Sequence, residues 1–193
     1  MESVISIIGK NFGIIAVDTC YFKSILSIKK DLNKIIEIGP NIYTVVSGFP
    51  GDVAQFTDLI QKSIQLHTLE NGSIVDINSI ANFMRSELSF CLRKGPLKIN
   101  LILVGFDIKY DPSLYLIDYL GNLQKMNFCA QGYSSLLIYS LLEKYFEEKI
   151  NVDQAIQIIT KCISTIRSRF LVHQNGFLVK AIYKKSTKLI GIF

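Results

Sequence analysis

Residues 3–18 read SVISIIGKNFGIIAVD, two runs rich in β-branched residues with a short polar stretch between them. Gly9 and Gly13 flank that stretch, and this arrangement predicts an N-terminal β-hairpin. Two more strands are predicted at residues 35–38 and 42–47, again separated by a glycine and a proline. The chain therefore opens with sheet structure.

After residue 52 the apolar positions change to helical spacing. The predicted segments are helices at 52–70 and 76–94, strands at 99–106 and 114–118 with short strands near 124 and 128, helices at 134–146 and 151–166, and strands at 177–183 and 189–193. The strand at 99–104 is apolar on both faces, so both faces of its sheet must be covered. The order predicts an α+β fold, a four-layer αββα sandwich, whereas a doubly wound sheet would alternate strand and helix.

Length and composition favour one domain, part of whose surface is buried in contacts with other subunits. The chain of 193 residues contains no internal repeat or linker, so we expect a single domain over residues 1–193. Hydrophobic residues make up 49% and charged residues 19%, which excludes intrinsic disorder. That apolar content is high for a monomer of this size and predicts interfaces with other subunits.

Several other function classes are disfavoured by the sequence. No apolar run reaches the roughly 20 residues that span a bilayer, and we expect no membrane segment. The net charge is +5, but the lysines and arginines are dispersed, so we expect no nucleic-acid partner. The four cysteines form no C-x-x-C pair and there are two histidines, so no metal site is expected. No glycine-rich phosphate loop follows a strand, and we expect no cofactor.

Short motifs at the predicted strand ends resemble those of 20S proteasome β-subunits. They are Ala16-Val17-Asp18, Lys34 before the third strand, and Val46-Ser47-Gly48 followed by Gly51-Asp52. A further series is most similar to the type-2 branch of that family, which fills the fourth position of the β ring. It includes Gln55-Phe56, Ala81-Asn82-Phe83, Leu114–Leu120 and Gly132-Tyr133. The resemblance covers essentially the whole chain and implies the sandwich of the N-terminal-nucleophile hydrolases.

The same resemblance implies that the chain is not itself a peptidase. Active members of the family attack with an N-terminal threonine, which self-cleavage after a glycine exposes. Counted back from Asp18, that position falls on Glu2, and Gly132 stands where active members have a serine. The segment FLVHQNG at 170–176 lacks their acidic and serine residues. Asp18 and Lys34 match the family's aspartate and lysine, and we interpret them as a retained structural ion pair in a vestigial site.

We therefore expect a non-catalytic structural β-subunit of the 20S core particle, with no propeptide, in the cytoplasm and nucleus. The resemblance implies lateral contacts with other β-subunits, contacts across the equator with the second β ring, and contacts with the α ring. The alternative is an active N-terminal-nucleophile peptidase, in which Ser3 would become terminal by loss of two residues. A third possibility, an unrelated α/β binding module, predicts a stable monomer.

Overall fold

The computed structural model describes residues 2–23, 26–107, 111–170, 174, 176–184 and 186–192. The strands in these ranges are β1 (Ser3–Ile8), β2 (Phe12–Asp18), β3 (Tyr21–Lys23), β4 (Leu26–Lys29), β5 (Ile35–Gly39), β6 (Ile42–Gly48), β7 (Ile99–Phe106), β8 (Pro112–Ile117), β9 (Leu123–Met126), β10 (Phe128–Gly132), β11 (Phe177–Tyr183) and β12 (Thr187–Ile192). The helices are α1 (Pro50–Asn71), α2 (Ile77–Lys94), α3 (Ser135–Tyr145) and α4 (Val152–Arg169).

The predicted N-terminal hairpin is present and lies at the centre of a five-stranded antiparallel sheet. Its strands β1 and β2 pair with Ile5 opposite Ala16 and Ile7 opposite Ile14. The strand order is β10-β1-β2-β11-β12, so β2 has a neighbour on each side, and every one of its residues is buried. This explains why the stretch FGIIAVD is almost continuously apolar.

A second antiparallel sheet has the order β5-β6-β7-β8-β9 and faces the first. Apolar side chains from both sheets form a shared core between them. They include Val4, Ile15 and Val17 from the first sheet and Val45, Ile102 and Val104 from the second. The strand at 99–104 is therefore covered on both faces, as its composition predicts.

Each sheet carries a pair of helices on its outer face. Helices α1 and α2 pack on the second sheet through residues such as Ile60 and Met84, and α3 and α4 pack on the first through residues such as Leu142 and Ile159. Local sequence fixes the helix starts: Asp76 caps α2 by accepting from the Asn78 N–H, and a capping box opens α4. The α+β prediction is confirmed.

One expectation about the helices is wrong. Residues 134–146 are apolar nearly all round, which predicts a helix buried on several sides, but α3 buries Ile138 and Leu142 and leaves Leu136 85% exposed. Leu59 and Leu69 follow the helical spacing of the apolar residues in α1, and both are exposed. Each helix has only one sheet to pack on, so an all-round apolar pattern leaves apolar side chains outside. The β3–β4 hairpin was not predicted.

None of the helices in the described ranges is long and apolar enough to cross a bilayer.

Candidate functional site

Asp18 is the centre of a buried polar cluster at the end of β2. The backbone N–H of Ser3 donates to its Oδ1 at 2.9 Å, and the Lys34 Nζ donates to its Oδ2 at 2.8 Å. The same ammonium donates to the Cys20 carbonyl at 2.8 Å. Asp18 is fully buried and Lys34 is 7% exposed. The cluster therefore ties the start of β1 to the segment that leads into β5.

The two charges in this cluster depend on each other. Burial raises the pKa of Asp18, and the Lys34 ammonium, together with the Ser3 N–H, opposes that rise. An ion pair this deeply buried is retained only while both partners are present, because either charge alone would be stranded in a low-dielectric environment. The Lys34 ammonium has two acceptors within the protein, so its charge is already compensated.

Glu2 lies beside this cluster and faces a cleft of about 760 Å³. The cleft runs between the first turns of α1 and the strands β5 and β6. Its lining residues are Glu2, Tyr21, Leu32, Asn33, Lys34, Ile36, Val46, Gly48, Pro50, Val53, Ala54, Gln55, Thr57, Asp58 and Gln61. Burial raises the pKa of Glu2, the charge of Lys34 lowers it, the charge of Asp18 raises it, and a hydrogen bond from the Gly48 backbone lowers it.

Gly132 lies against the backbone of Glu2 at the end of β10. In the β1–β10 pairing Gly132 is opposite Ser3, and its φ is +86°. A Cβ built at this position would overlap the Glu2 carbonyl oxygen and lie 2.6 Å from the Glu2 carbonyl carbon. Only glycine combines this backbone conformation with so close an approach. A serine at position 132 is therefore incompatible with the observed path of β1.

The four residues predicted for the vestigial site all lie together. Asp18 and Lys34 form the predicted pair, Glu2 and Lys34 line the same cleft, and Gly132 contacts the Glu2 backbone. Within the segment at 170–176, residues 171–173 and 175 lie outside the described residues, so its expected lack of catalytic groups remains a prediction.

Sequence reasoning missed the polar supports around this cluster. Gln131 is buried, accepts from the Ser47 hydroxyl at 3.2 Å and donates to the Leu101 carbonyl at 3.4 Å. The N–H of Gly48 faces Glu2. The signal was Ser47, a polar residue near the end of a mostly apolar strand, but its partner Gln131 is distant in sequence.

A carboxylate in place of a hydroxyl at position 2 cannot act as a threonine nucleophile does. Ser3 has no exposed surface, and its Oγ makes no hydrogen bond. Within the ranges that the structure describes, no group of three or more histidine, cysteine or acidic side chains is placed to hold a metal ion.

Comparison with known proteins gives a consistent family. The sequence model of the family described as proteasome subunit matches residues 2–182. Proteasome subunit beta type-2-B of Arabidopsis thaliana is 36% identical over 191 residues, covering 99% of this chain and 96% of that protein. Proteasome subunit beta type-2 of Dictyostelium discoideum is 33% identical, covering 98% and 97%. A probable proteasome subunit beta type-4 of Encephalitozoon cuniculi is 31% identical, covering 94% and 92%.

Proposed function

This chain belongs to the proteasome subunit family as a β-subunit, and we propose that it is a non-catalytic member that builds the β ring of the 20S core particle. The observation that carries the proposal is the contact between Glu2 and Gly132. A carboxylate occupies the position of the nucleophile, and the residue that would be a serine is a glycine against which the Glu2 backbone packs. Peptide hydrolysis would then belong to other subunits of the particle.

The proposal includes one domain over residues 1–193, of the N-terminal-nucleophile hydrolase type. Two features support that fold type. The two sheets share one core, and each carries a helix pair on its outer face. The Asp18–Lys34 pair lies at the end of the central strand, where active members would use the same two residue types. In this chain the pair serves the fold, because both oxygens of Asp18 are bonded to structural partners.

The proposed partners are two lateral β-subunits, a β-subunit across the equator and subunits of the α ring, in the cytoplasm and nucleus. Heteromeric rings use different surfaces for each neighbour and close by rotation. The chain has separate exposed apolar sites that could supply such surfaces. They include Leu66 and Leu69 on α1, Leu136 on α3, and Leu26 and Ile28 on β4. No cofactor, membrane or nucleic-acid partner forms part of the proposal.

The alternative of an active peptidase depends on Ser3 as a new terminus. One observation favours it, namely that the Ser3 N–H bonds to Asp18 beside Lys34. Against it, Ser3 is fully buried and lies opposite Gly132 of β10, and the next residue, Val4, pairs with Val17 of β2. Its hydroxyl could reach a substrate only after β1 had left both neighbours.

The experiment that tests the proposal is mass spectrometry of the assembled particle after treatment with a peptide epoxyketone, which labels N-terminal threonine and serine nucleophiles. We expect this chain to retain Glu2 and to carry no label. The active β-subunits of the same particle are the internal control and must be labelled. A labelled chain that begins at Ser3 would overturn the proposal.

A further inference from the structure

We propose that the outer edge of β12 is a docking site for an extended, acidic segment of another subunit of the particle. The segment adds a strand to the first sheet and pairs with β12 through its backbone. The inference rests on the proposed function, because it requires the chain to lie in a ring beside other subunits.

The first observation is an uneven distribution of the acidic residues. Residues 154–193 contain seven lysines and arginines and no aspartate or glutamate, although the net charge of the whole chain is only +5. This stretch forms most of α4 and all of β11 and β12. Lys188 of β12 is exposed, and the salt bridges found in the described ranges include none to it. The surface around β12 is therefore complementary to an acidic partner.

The second observation concerns the four edge strands of the two large sheets, which are β10, β12, β5 and β9. At β10 the Tyr139 hydroxyl donates to the Ala130 carbonyl at 3.0 Å, and at β5 the Gln61 side chain donates to the Glu37 carbonyl at 2.8 Å. The strand β9 has only four residues, and its two central ones are polar and exposed. The hydrogen bonds found in the described ranges include no such cap on β12, which has six residues. An edge of that kind can pair with another chain.

The third observation is that the exposed apolar residues of β12 share one face. Leu189 is opposite Lys180 of β11. Ile192 is opposite Leu178, two residues away on the same strand, because a bulge adds one residue to β12 between the two pairs. Leu189 and Ile192 therefore point to the same face of the sheet, where they are 57% and 70% exposed. Lys188, next to Leu189 in the strand, points to the opposite face.

This distribution specifies the partner. A strand added at β12 places alternate side chains on the two faces, so apolar residues lie beside Leu189 and Ile192 and acidic residues lie beside Lys188. Two exposed apolar side chains on an open edge are an aggregation hazard in a free chain, and a permanent neighbour such as another subunit removes that hazard. A second copy of this chain is a poorer occupant, because it would bring one basic surface against another.

The first test measures strand addition directly. A fluorescent seven-residue peptide that alternates valine and glutamate is titrated into the purified full-length chain and followed by anisotropy. We expect it to bind, and a peptide with lysine in place of glutamate to bind at least about tenfold more weakly. Methylating alternate backbone nitrogens gives two patterns. One pattern should weaken binding at least about tenfold and the other should not, since a strand pairs with one neighbour through alternate residues. Equal affinity of the two methylated peptides would overturn the inference.

Lys188→Glu tests the charge. We expect it to weaken the glutamate peptide about fivefold and to strengthen the lysine peptide, as the loss of an exposed ion pair and its replacement by repulsion imply. Lys98→Glu is the matched control, because Lys98 is an exposed lysine that precedes β7 in the second sheet and its replacement changes the net charge equally. It should leave both affinities unchanged. If Lys188→Glu leaves the affinity of the glutamate peptide unchanged, Lys188 only protects the edge and the proposed docking site is wrong.

The second test identifies the occupant in the assembled particle. A carbodiimide joins a lysine to a carboxylate that is in contact with it, and mass spectrometry of the digest identifies both residues. We expect Lys188 to be joined to an aspartate or glutamate of another subunit. The inference is contradicted by no link, by a link to an acid of this chain or of a second copy, and by protection of Lys188 that nuclease treatment removes, which would indicate nucleic acid. Absence of this chain from the particle counts against the proposed function, whereas its presence with Lys188 unlinked counts against the docking site alone.

Discussion

Gly132→Ala tests whether the path of the N-terminal strand depends on a missing side chain. Gly132 combines a φ of +86° with an approach to the Glu2 backbone that leaves no room for a Cβ. The substitution adds one methyl group. It changes no charge and no hydrogen bond, so its effect reports the backbone conformation and the steric contact alone.

The expected magnitude has two parts. A residue with a side chain in the left-handed region costs about 1–2 kcal/mol relative to glycine. Inserting a methyl group into packed structure costs about 1–3 kcal/mol more, and here the obstacle is backbone, which cannot rotate away as a side chain can. We therefore expect the free energy of unfolding to fall by about 2–5 kcal/mol.

The assay is urea denaturation of the purified full-length chain, with Gly72→Ala as the matched control. Gly72 also has a positive φ, +63°, but an added Cβ would meet nothing within 4 Å. It should therefore cost only the conformational part, about 1 kcal/mol. If the two variants lose the same stability, the steric contact with Glu2 is unimportant and the reasoning fails. An unchanged dependence on urea concentration would confirm that stability is what differs.

Three further outcomes follow from the buried groups. Lys34→Met should lower the free energy of unfolding by about 3–5 kcal/mol because it strands the Asp18 charge, and the added substitution Asp18→Asn should restore part of the loss in a double-mutant cycle. Glu2→Gln should be more stable than the wild type at neutral pH, because the pKa of Glu2 is raised in the folded chain and its ionised form therefore opposes folding. The gain in stability should shrink as the pH falls toward 4.5, the ordinary value of the Glu2 pKa, and urea titrations between neutral pH and 4.5 measure it. Burial raises the pKa of the Cys162 thiol to about 12, so iodoacetamide should modify the partly exposed Cys91 first, as peptide mapping would show, and equal rates would contradict the described burial.

Much of the fold could be predicted because its signals are local. The hairpin in residues 3–18 needs only two β-branched runs and a turn, and the start of α4 follows from a capping box over four residues. The exposed apolar faces of α1 and α3 could not be predicted. An apolar residue at helical spacing gives the same sequence pattern whether it packs on the chain's own sheet or lies on a surface that contacts another subunit. Every residue of β4 is exposed, so the β3–β4 hairpin gives no alternation of apolar and polar residues from which a strand could be predicted.

The candidate site likewise has a part that local sequence predicts and a part that it does not. Asp18 and Lys34 could be predicted from motifs beside them, and their pairing distance of 2.8 Å agrees with the interpretation as an ion pair. The contact between Gly132 and Glu2 could not be derived from either residue. It depends on the register in which β1 lies beside β10, with Ser3 opposite Gly132, and that register joins positions far apart in the chain.

That register also bears on the non-catalytic state that we propose. In the sequence, Glu2 and Gly132 look like two independent replacements. In the structure they are in contact and form a single feature. The atoms of Glu2 that a Cβ at position 132 would meet are the carbonyl oxygen and carbon, which every residue at position 2 would have. A serine at 132 would therefore clash with the present path of β1 even with a threonine at position 2. The inactive state that we propose thus lies in the strand path as well as in the missing hydroxyl, and recovering a nucleophile would require β1 to move before any supporting side chain could enter.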